Sequence, residues 1–118
     1  MTNNELAKKL RKAIVDTDLA TIHGELFAEN VESIEPQFPP MPHAKGIAQV
    51  KEKANIFGGN IAELHSKEVS EEVVVSGNYI SLGMSFDATL KDGNRMQLSE
   101  LIVYKVENGK IVSEQLFY

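Results

Sequence analysis

The sequence predicts an α+β domain in which helices pack against one face of a curved, mostly antiparallel sheet. In the first half of the 118-residue chain, apolar residues recur every three or four positions, whereas in the second half they alternate as in strands. Asp92-Gly93 and Asn108-Gly109 punctuate that second half, and such pairs favour tight hairpin turns. Helices followed by a meander of strands are typical of the α+β class.

Three helices are predicted before position 60. They cover residues 4–15, 19–27 and 44–57. In the first, Leu6, Leu10 and Ile14 lie four positions apart and so share a core-facing stripe. Asp18 precedes the second, where its side chain can accept hydrogen bonds from the first helical amides.

The predicted strands are one short segment within residues 28–36 and four longer ones. The longer strands cover residues 61–75, 78–91, 95–107 and 110–118. All four prolines lie between positions 36 and 42, which predicts a stiff loop because proline lacks an amide donor. This loop presents Phe38 and Met41 either as the lid of a pocket or as an apolar loop packed onto the body.

Composition predicts a single domain over residues 1–118 and excludes several functions. Hydrophobic residues make up 42% of the chain, which is typical of globular domains. The net charge is −5 and the basic residues are scattered, so no nucleic-acid partner is expected. There is no cysteine, no secretion signal at the N-terminus and no apolar stretch of membrane-spanning length. A cytoplasmic protein without a membrane partner is therefore expected.

Two glutamates interrupt apolar strand faces near the end of the chain. Around Glu100, one face carries Met96, Leu98, Ile102, Tyr104 and Val106; around Glu114, one face carries Val112, Leu116 and Tyr118. A lone carboxylate among apolar side chains is costly unless it has a partner or a task. Glu100 and Glu114 are therefore predicted to line a pocket, or alternatively to lie at an interface.

Over nearly its whole length the chain resembles the SnoaL-like proteins of the NTF2-like superfamily. The resemblance is strongest in LFAENVESIEP at 26–36, at the lone Gly46, and in KDGNRMQLSELIVYKVENGKIVSEQLFY at 91–118. It implies a cone in which three N-terminal helices pack on a bent sheet and a pocket opens at one end. Because the superfamily includes cyclases, isomerases, dehydratases and simple binders, the resemblance implies a fold rather than one reaction.

Ketosteroid isomerase, a distant member of the superfamily, suggests roles for individual residues. Its general base precedes a proline in a segment of the form ADDATVEDP, and AENVESIEP places Glu35 there. Matching the last hairpin aligns Ile102 with its buried aspartic acid, turns Glu100 to the same face, and aligns Glu114 with a cavity-lining residue. Its oxyanion-hole tyrosine falls at Leu10. Steroid isomerisation by that mechanism is disfavoured, because both donors to the dienolate are missing.

The resemblance implies that Glu35 is a general base and that Glu100 and Glu114 supply a second proton site. Burial disfavours the charged form of a carboxylate, which would suit the removal of an acidic C–H proton. Two alternatives stay open. Glu35 could be a surface carboxylate or the partner of Lys51 or Lys53, and the other two glutamates could face a dimer interface.

Further residues are predicted to line the pocket. They are Phe38, Met41, His43, Phe57, Asp87, Leu98, Ile102, Leu116 and Tyr118. His43 could relay protons near Glu35, and the hairpin match turns Asp87 inward. None of the three histidines has the spacing of a metal site, so no metal is expected, and acid–base chemistry of this kind needs no cofactor.

Three functions fit these residues. The first is a cofactor-free isomerase, cyclase or lyase that moves a proton next to a carbonyl of a small apolar or amphipathic molecule. The second is a non-catalytic module that binds a small ligand in the same pocket, and the third is a dimeric adaptor without an open pocket. Leu101 and Val103 lie on the sheet face away from the helices, which predicts a homodimer through that outer face.

Overall fold

The computed structural model describes residues 1–118 and confirms the predicted α+β architecture. The helices are α1 (Asn3–Val15), α2 (Leu19–Thr21, continued by a π-helical turn at Ile22–Leu26) and α3 (Ile47–Gly59). The strands are β1 (Phe27–Ile34), β2 (His43–Lys45), β3 (Ile61–Val69), β4 (Val74–Ser76), β5 (Tyr79–Leu90), β6 (Arg95–Glu107) and β7 (Lys110–Phe117). None of the helices combines the length and apolarity needed to cross a bilayer.

All seven strands form one sheet in the order β2-β1-β7-β6-β5-β3, with β4 also pairing with β5. Every pair is antiparallel except β1 with β7, which run parallel. We call the face that packs on the helices the inner face; on β6 it carries Ile102, Tyr104 and Val106, all buried in the core. The opposite, outer face has no helix against it and carries the exposed Leu101.

Helix α1 supplies much of the core that lies against the inner face. Thr2 and Glu5 form a reciprocal capping box at its start, with each side chain bonded to the other residue's amide at 3.1 Å. Leu6, Leu10 and Ile14 are all buried, as their spacing predicts. The first predicted helix is therefore confirmed.

Two other helix boundaries are wrong in the sequence-based prediction. The second helix is only three residues long before its π-helical turn, and β1 already begins at Phe27. The third helix begins at Ile47 rather than Ala44, because residues 43–45 form β2 and pair with residues 32–34 of β1. Gly46 separates β2 from α3 with φ of +83°, a conformation that favours glycine.

A β-bulge lies in the last hairpin, close to the tight turn at Asn108-Gly109. Val106 pairs with Ile111, but Lys105 pairs with Ser113, so Val112 is the extra residue of the bulge. Consequently Ile111, rather than the predicted Val112, joins the buried inner face on the turn side of the bulge. Beyond the bulge, Glu114 lies opposite Tyr104 and is on the inner face.

Candidate functional site

Only four polar or charged residues of this chain are buried, and they meet in one cluster. They are Ser33 on β1, Glu35 just after it, Lys53 on α3 and Glu100 on β6. Lys53 contacts both Ser33 and Glu35, and the charges of Glu35 and Lys53 both act on Glu100. Buried charges are costly, so the cluster marks the part of the fold where polar chemistry is concentrated.

Glu35 forms an ion pair inside the protein, which is one of the arrangements that the sequence left open. Its amide donates to the Pro42 carbonyl at 2.8 Å and so closes the proline-rich loop. Its Oε1 lies 2.8 Å from Lys53 Nζ, and both residues are less than 10% exposed. Its Oε2 accepts a hydrogen bond from the Tyr118 hydroxyl. Both carboxylate oxygens are thus already engaged.

Glu100 has no such partner. It is 8% exposed and lies on the inner face of β6, and its carboxylate makes no hydrogen bond or ion pair within the chain. Burial, reinforced by the negative charges of Glu35 and Glu114 and opposed by Lys53, raises the pKa of Glu100 to about 7. It also borders a surface cleft, together with Val69 and Met84 on the neighbouring strands. A carboxyl group with this pKa is partly ionised near neutral pH.

Glu114 lies on the other side of one apolar pair from Glu100. It is beside Ser33 in the β1–β7 register and opposite Tyr104 in the β6–β7 register. Burial raises the pKa of Glu114, while a hydrogen bond from Ser33 and the charge of Lys53 oppose that rise.

The two strand glutamates do not face each other directly, although both are on the inner face. The pair formed by Ile102 and Leu116 lies between the levels of Glu100 and Glu114. The two carboxylates are therefore one residue pair apart along the hairpin. The charge of Glu114 raises the pKa of Glu100, and no hydrogen bond joins the two carboxylates.

Aromatic side chains cover the cluster from the loop side. Phe38 lies over Lys53, whose Nζ is 5.9 Å from the ring centroid. The Phe38 and Phe57 centroids are 6.4 Å apart, and Phe57 meets Phe86 edge to face at 5.7 Å. Met41 packs against the core from the same loop. The proline-rich loop therefore seats its apolar residues beside the charged cluster.

Four other predicted lining residues are on the inner face. They are Leu98, Ile102, Leu116 and Tyr118, with Ile102 fully in the core and Tyr118 the most exposed. Burial and the bond to Glu35 raise the pKa of Tyr118. These residues therefore lie on the face of the sheet that the alternation of side chains along a strand predicts.

His43 and Asp87 are corrections, because both lie on the outer face of the sheet. His43 Nε2 is 3.1 Å from Glu32 Oε1, and both side chains are exposed. Asp87 neighbours the buried Ala88 and therefore points the opposite way; it accepts two bonds from Arg95 at 2.6 and 2.8 Å. This fork with Arg95 lowers the pKa of Asp87 to about 2. Neither residue lies with the buried cluster.

The profile of the SnoaL-like domain family matches residues 1–118, the whole chain. The chain belongs to the SnoaL-like family. A candidate SnoaL-like polyketide cyclase from Mesorhizobium loti has a crystal structure that is similar to this SnoaL-like protein, with 31% identity, a TM-score of 0.91 and full coverage of both chains.

Two more distant structures share the fold with the SnoaL-like protein. An NTF2-like protein of unknown function from Burkholderia pseudomallei is 22% identical, with a TM-score of 0.77 over 100% of this chain and 92% of that one. A ketosteroid isomerase-like protein from Catenulispora acidiphila, solved with trimethylamine, is 14% identical, with a TM-score of 0.70 over 99% and 87%. No functionally curated protein matches the sequence.

Sequence reasoning gave no site role to three residues of the SnoaL-like protein. Lys53 was considered only as a possible partner of Glu35, and Ser33 not at all. Lys53 lies three residues after Val50 and four before Phe57, so its place on the apolar stripe of α3 was a readable signal. Ser33 alternates with Val31 and Glu35, which put it on the same face. Tyr104 was named only among the apolar residues that share a strand face with Glu100, and it is buried.

The raised pKa of Glu100 predicts that the stability of the SnoaL-like protein falls as pH rises from about 4.5 to about 7. In that window the folded state binds the proton more tightly than the unfolded state, so ionisation at higher pH favours unfolding. Glu100→Gln removes this dependence. We expect the variant to gain about 3 kcal/mol over the parent above pH 7 and almost nothing below pH 4.

Urea unfolding of the parent and of Glu100→Gln at several pH values measures this difference. Glu107→Gln, an exposed change on the same strand, is the matched control. A stability difference that does not vary with pH would contradict the prediction.

Proposed function

We propose that this protein is a cofactor-independent acid–base enzyme that moves a proton next to the carbonyl of a small apolar or amphipathic molecule. The observation that supports it best is Glu100, a buried carboxylate without a partner whose pKa is near neutrality. A general base works best when its pKa lies near the working pH. The reaction class would be that of an isomerase, cyclase or lyase.

In this proposal the base is Glu100 rather than Glu35. Both oxygens of Glu35 are bonded to Lys53 and Tyr118, so removing a substrate proton would require breaking that arrangement. Glu35 instead holds the Lys53 ammonium inside the protein. The positive charge of Lys53 then favours the negative charge that develops when a C–H proton leaves. Glu114 remains the second proton site.

The apolar residues around the cluster would bind the substrate and limit the access of water. Phe38, Met41 and Phe57 come from the loop and α3, while Leu98 and Leu116 come from the inner face of the sheet. In such surroundings an electrostatic interaction is stronger than in water. A reaction that needs only proton transfer fits a site built from carboxylates, an ammonium and phenols.

Exchange of substrate protons with solvent tests the proposal, because it is detected on the substrate itself and needs no assay for a particular product. The purified protein is incubated in D₂O with a panel of β-keto esters and cyclic enones, and loss of the α-proton signals is followed by ¹H NMR. We expect exchange with at least one member of the panel, and loss of that exchange in Glu100→Gln. Exchange that persists in Glu100→Gln would rule out Glu100 as the base.

A second candidate function is the binding of a small organic cation without catalysis. Two carboxylates, Glu35 and Glu100, share the cluster with one ammonium. The carboxylate of Glu114 acts on it by its charge, and aromatic rings lie beside it. Aromatic faces and carboxylates are the groups that recognise alkylammonium ions. The solved trimethylamine complex of the Catenulispora acidiphila protein makes this chemistry a reasonable alternative. Binding of tetramethylammonium with no exchange of any carbonyl compound would favour it.

We further propose that two copies associate through the outer face. Leu101 and Phe117 are directly paired there and are 48% and 53% exposed. Elsewhere on the outer face, Arg95 and Asp87 neutralise each other, so an identical copy meets no charge repulsion from them.

The oligomeric state in solution tests this association. Light scattering after gel filtration should give twice the chain mass for the parent and the single mass for Leu101→Asp. Val15→Asp, which changes an exposed valine at the end of α1, should stay dimeric. A monomeric parent would contradict the association.

A further inference from the structure

The proline-rich loop at 36–42 keeps its shape through its own hydrogen bonds. The Glu35 amide donates to the Pro42 carbonyl at 2.8 Å and so closes the loop at its base. Within it, the Phe38 amide donates to the Glu35 carbonyl at 2.9 Å, and the Met41 amide donates to the Phe38 carbonyl at 3.1 Å. Each of its prolines fixes its own φ. The loop can therefore move about its two ends as one piece.

One side-chain hydrogen bond ties the outer part of this loop to the end of β7. The Gln37 side-chain amide donates to the main-chain oxygen of Tyr118. Tyr118 is held in turn by the bond from its hydroxyl to Glu35, which lies at the base of the loop. Gln37 is exposed and Tyr118 is 36% exposed, so water can replace the bond between them. The Gln37–Tyr118 bond is therefore a latch that solvent can open.

The closed loop hides the two charged groups that the proposed function uses together. Glu100 and Lys53 are 8% and 7% exposed, and the Phe38 ring lies over the Lys53 ammonium. The surface cleft beside Glu100 is lined only by residues of β3, β5 and β6 and by Ser70, which follows β3. That cleft does not lead to Lys53 or to the loop.

A molecule that contacts both Glu100 and Lys53 must therefore enter from the loop side. The other walls of the cluster are α3, which carries Lys53, and the sheet, which carries Glu100 and Ser33. Both are regular hydrogen-bonded elements, whereas the loop is bonded mainly to itself. The loop is thus the wall that can move aside.

We propose that the proline-rich loop is a gate, latched by the Gln37–Tyr118 bond, that swings open as a unit to admit a small molecule between Glu100 and Lys53. The inference rests on the proposed function for what passes the gate, a small apolar or amphipathic carbonyl compound. Opening carries Phe38 away from Lys53, and closure returns the ring and excludes water from the charged groups.

Thiol labelling measures opening directly, because the chain contains no cysteine of its own. Glu100→Cys places a single thiol at the site, and it breaks no ion pair because Glu100 has no partner. The reagent is methyl methanethiosulfonate, which is small and needs no turnover by the protein. With the gate closed most of the time, we expect Glu100→Cys to react at least about tenfold more slowly than Gln115→Cys, an exposed position of β7.

Removing the latch should then speed the labelling at position 100. We expect Gln37→Ala, combined with Glu100→Cys, to raise the rate about fivefold, the effect of losing one ordinary hydrogen bond. Gln115→Ala removes an exposed glutamine of β7 and should leave the rate unchanged. Ala13→Cys, which lies 4% exposed on α1, reports unfolding of the whole domain, and Gln37→Ala should not speed its labelling.

Three results would overturn the gate. The first is labelling of Glu100→Cys as fast as Gln115→Cys, which means that the site is already open. The second is an unchanged rate with Gln37→Ala, which means that the reagent enters by the cleft. The third is equal acceleration of Ala13→Cys, which means that the whole domain unfolds. If Glu100→Cys does not fold, Leu98→Cys on the same inner face takes its place with the same expected results.

Failure of the gate and failure of the proposed function give different results. A protein that exchanges no carbonyl compound but labels faster with Gln37→Ala keeps the gate and loses the proposed function. A protein that exchanges a carbonyl compound through Glu100 but labels at the same rate with Gln37→Ala keeps the function and loses the gate.

Discussion

Replacing Glu100 with glutamine should lower the rate of catalysed proton exchange by about 10²- to 10⁴-fold, the usual contribution of a general base. The amide is nearly the same size as the carboxylate but cannot take up a proton. Because Glu100 is buried without a partner, the substitution leaves no broken ion pair behind. Glu107→Gln, on the same strand and exposed, should keep the parent rate.

The pH dependence of the parent rate gives an independent check on the same residue. Exchange requires the ionised form of Glu100, whose pKa is about 7, so the rate should rise through pH 7 and level off above it. After subtraction of the uncatalysed rate, Glu100→Gln should show no such rise. A parent profile that is flat between pH 5 and pH 9 would be inconsistent with Glu100 as the base.

The second large effect concerns the buried ion pair. Glu35→Leu leaves Lys53 as a buried ammonium without its bonded carboxylate, which should cost about 3–5 kcal/mol of stability. Changing both partners, as in Glu35→Leu with Lys53→Met, leaves neither member of the pair behind as an unpaired charge and should recover most of that loss. The coupling between the two positions is therefore expected to be large and favourable.

Urea unfolding of the parent, both single variants and the double variant measures this coupling. Lys51→Met, on the exposed face of the same helix, controls for the loss of a lysine and should change stability by less than about 0.5 kcal/mol. Additive effects of Glu35→Leu and Lys53→Met would show that the pair contributes no coupling. The same double variant would test whether Lys53 is needed for exchange.

Much of the site could be predicted from the sequence because strand alternation is a strong constraint. The even-numbered residues of β6 are apolar apart from Glu100, so this carboxylate had to lie on the core face if the core was on that side. Glu35 was located by its place before Pro36. The sequence did not show that Glu35 pairs with Lys53, because a lysine on a helix usually extends its amine to water.

The wrong assignments have a shared physical cause. A single sequence does not say which strands pair or in what register, and pairing decides the face on which each side chain lies. Asp87 was placed inward by matching its hairpin to that of ketosteroid isomerase, and His43 was placed near Glu35 as part of the proline-rich loop. The register of the strands puts both on the outer face instead. The three-residue β2 was missed since its strand conformation depends on hydrogen bonds to β1 rather than on its own residues. The bulge at Val112 likewise depends on its partner strand.

The bulge at Val112 reverses the alternation of every residue that follows it on β7. From the tight turn onward, strict alternation would send Ser113, Gln115 and Phe117 inward and Glu114 outward. The one extra residue resets the phase, so Glu114 faces the core and Phe117 faces out. One inserted residue thereby places the acidic side chain of Glu114 on the inner face and the apolar side chain of Phe117 on the outer face.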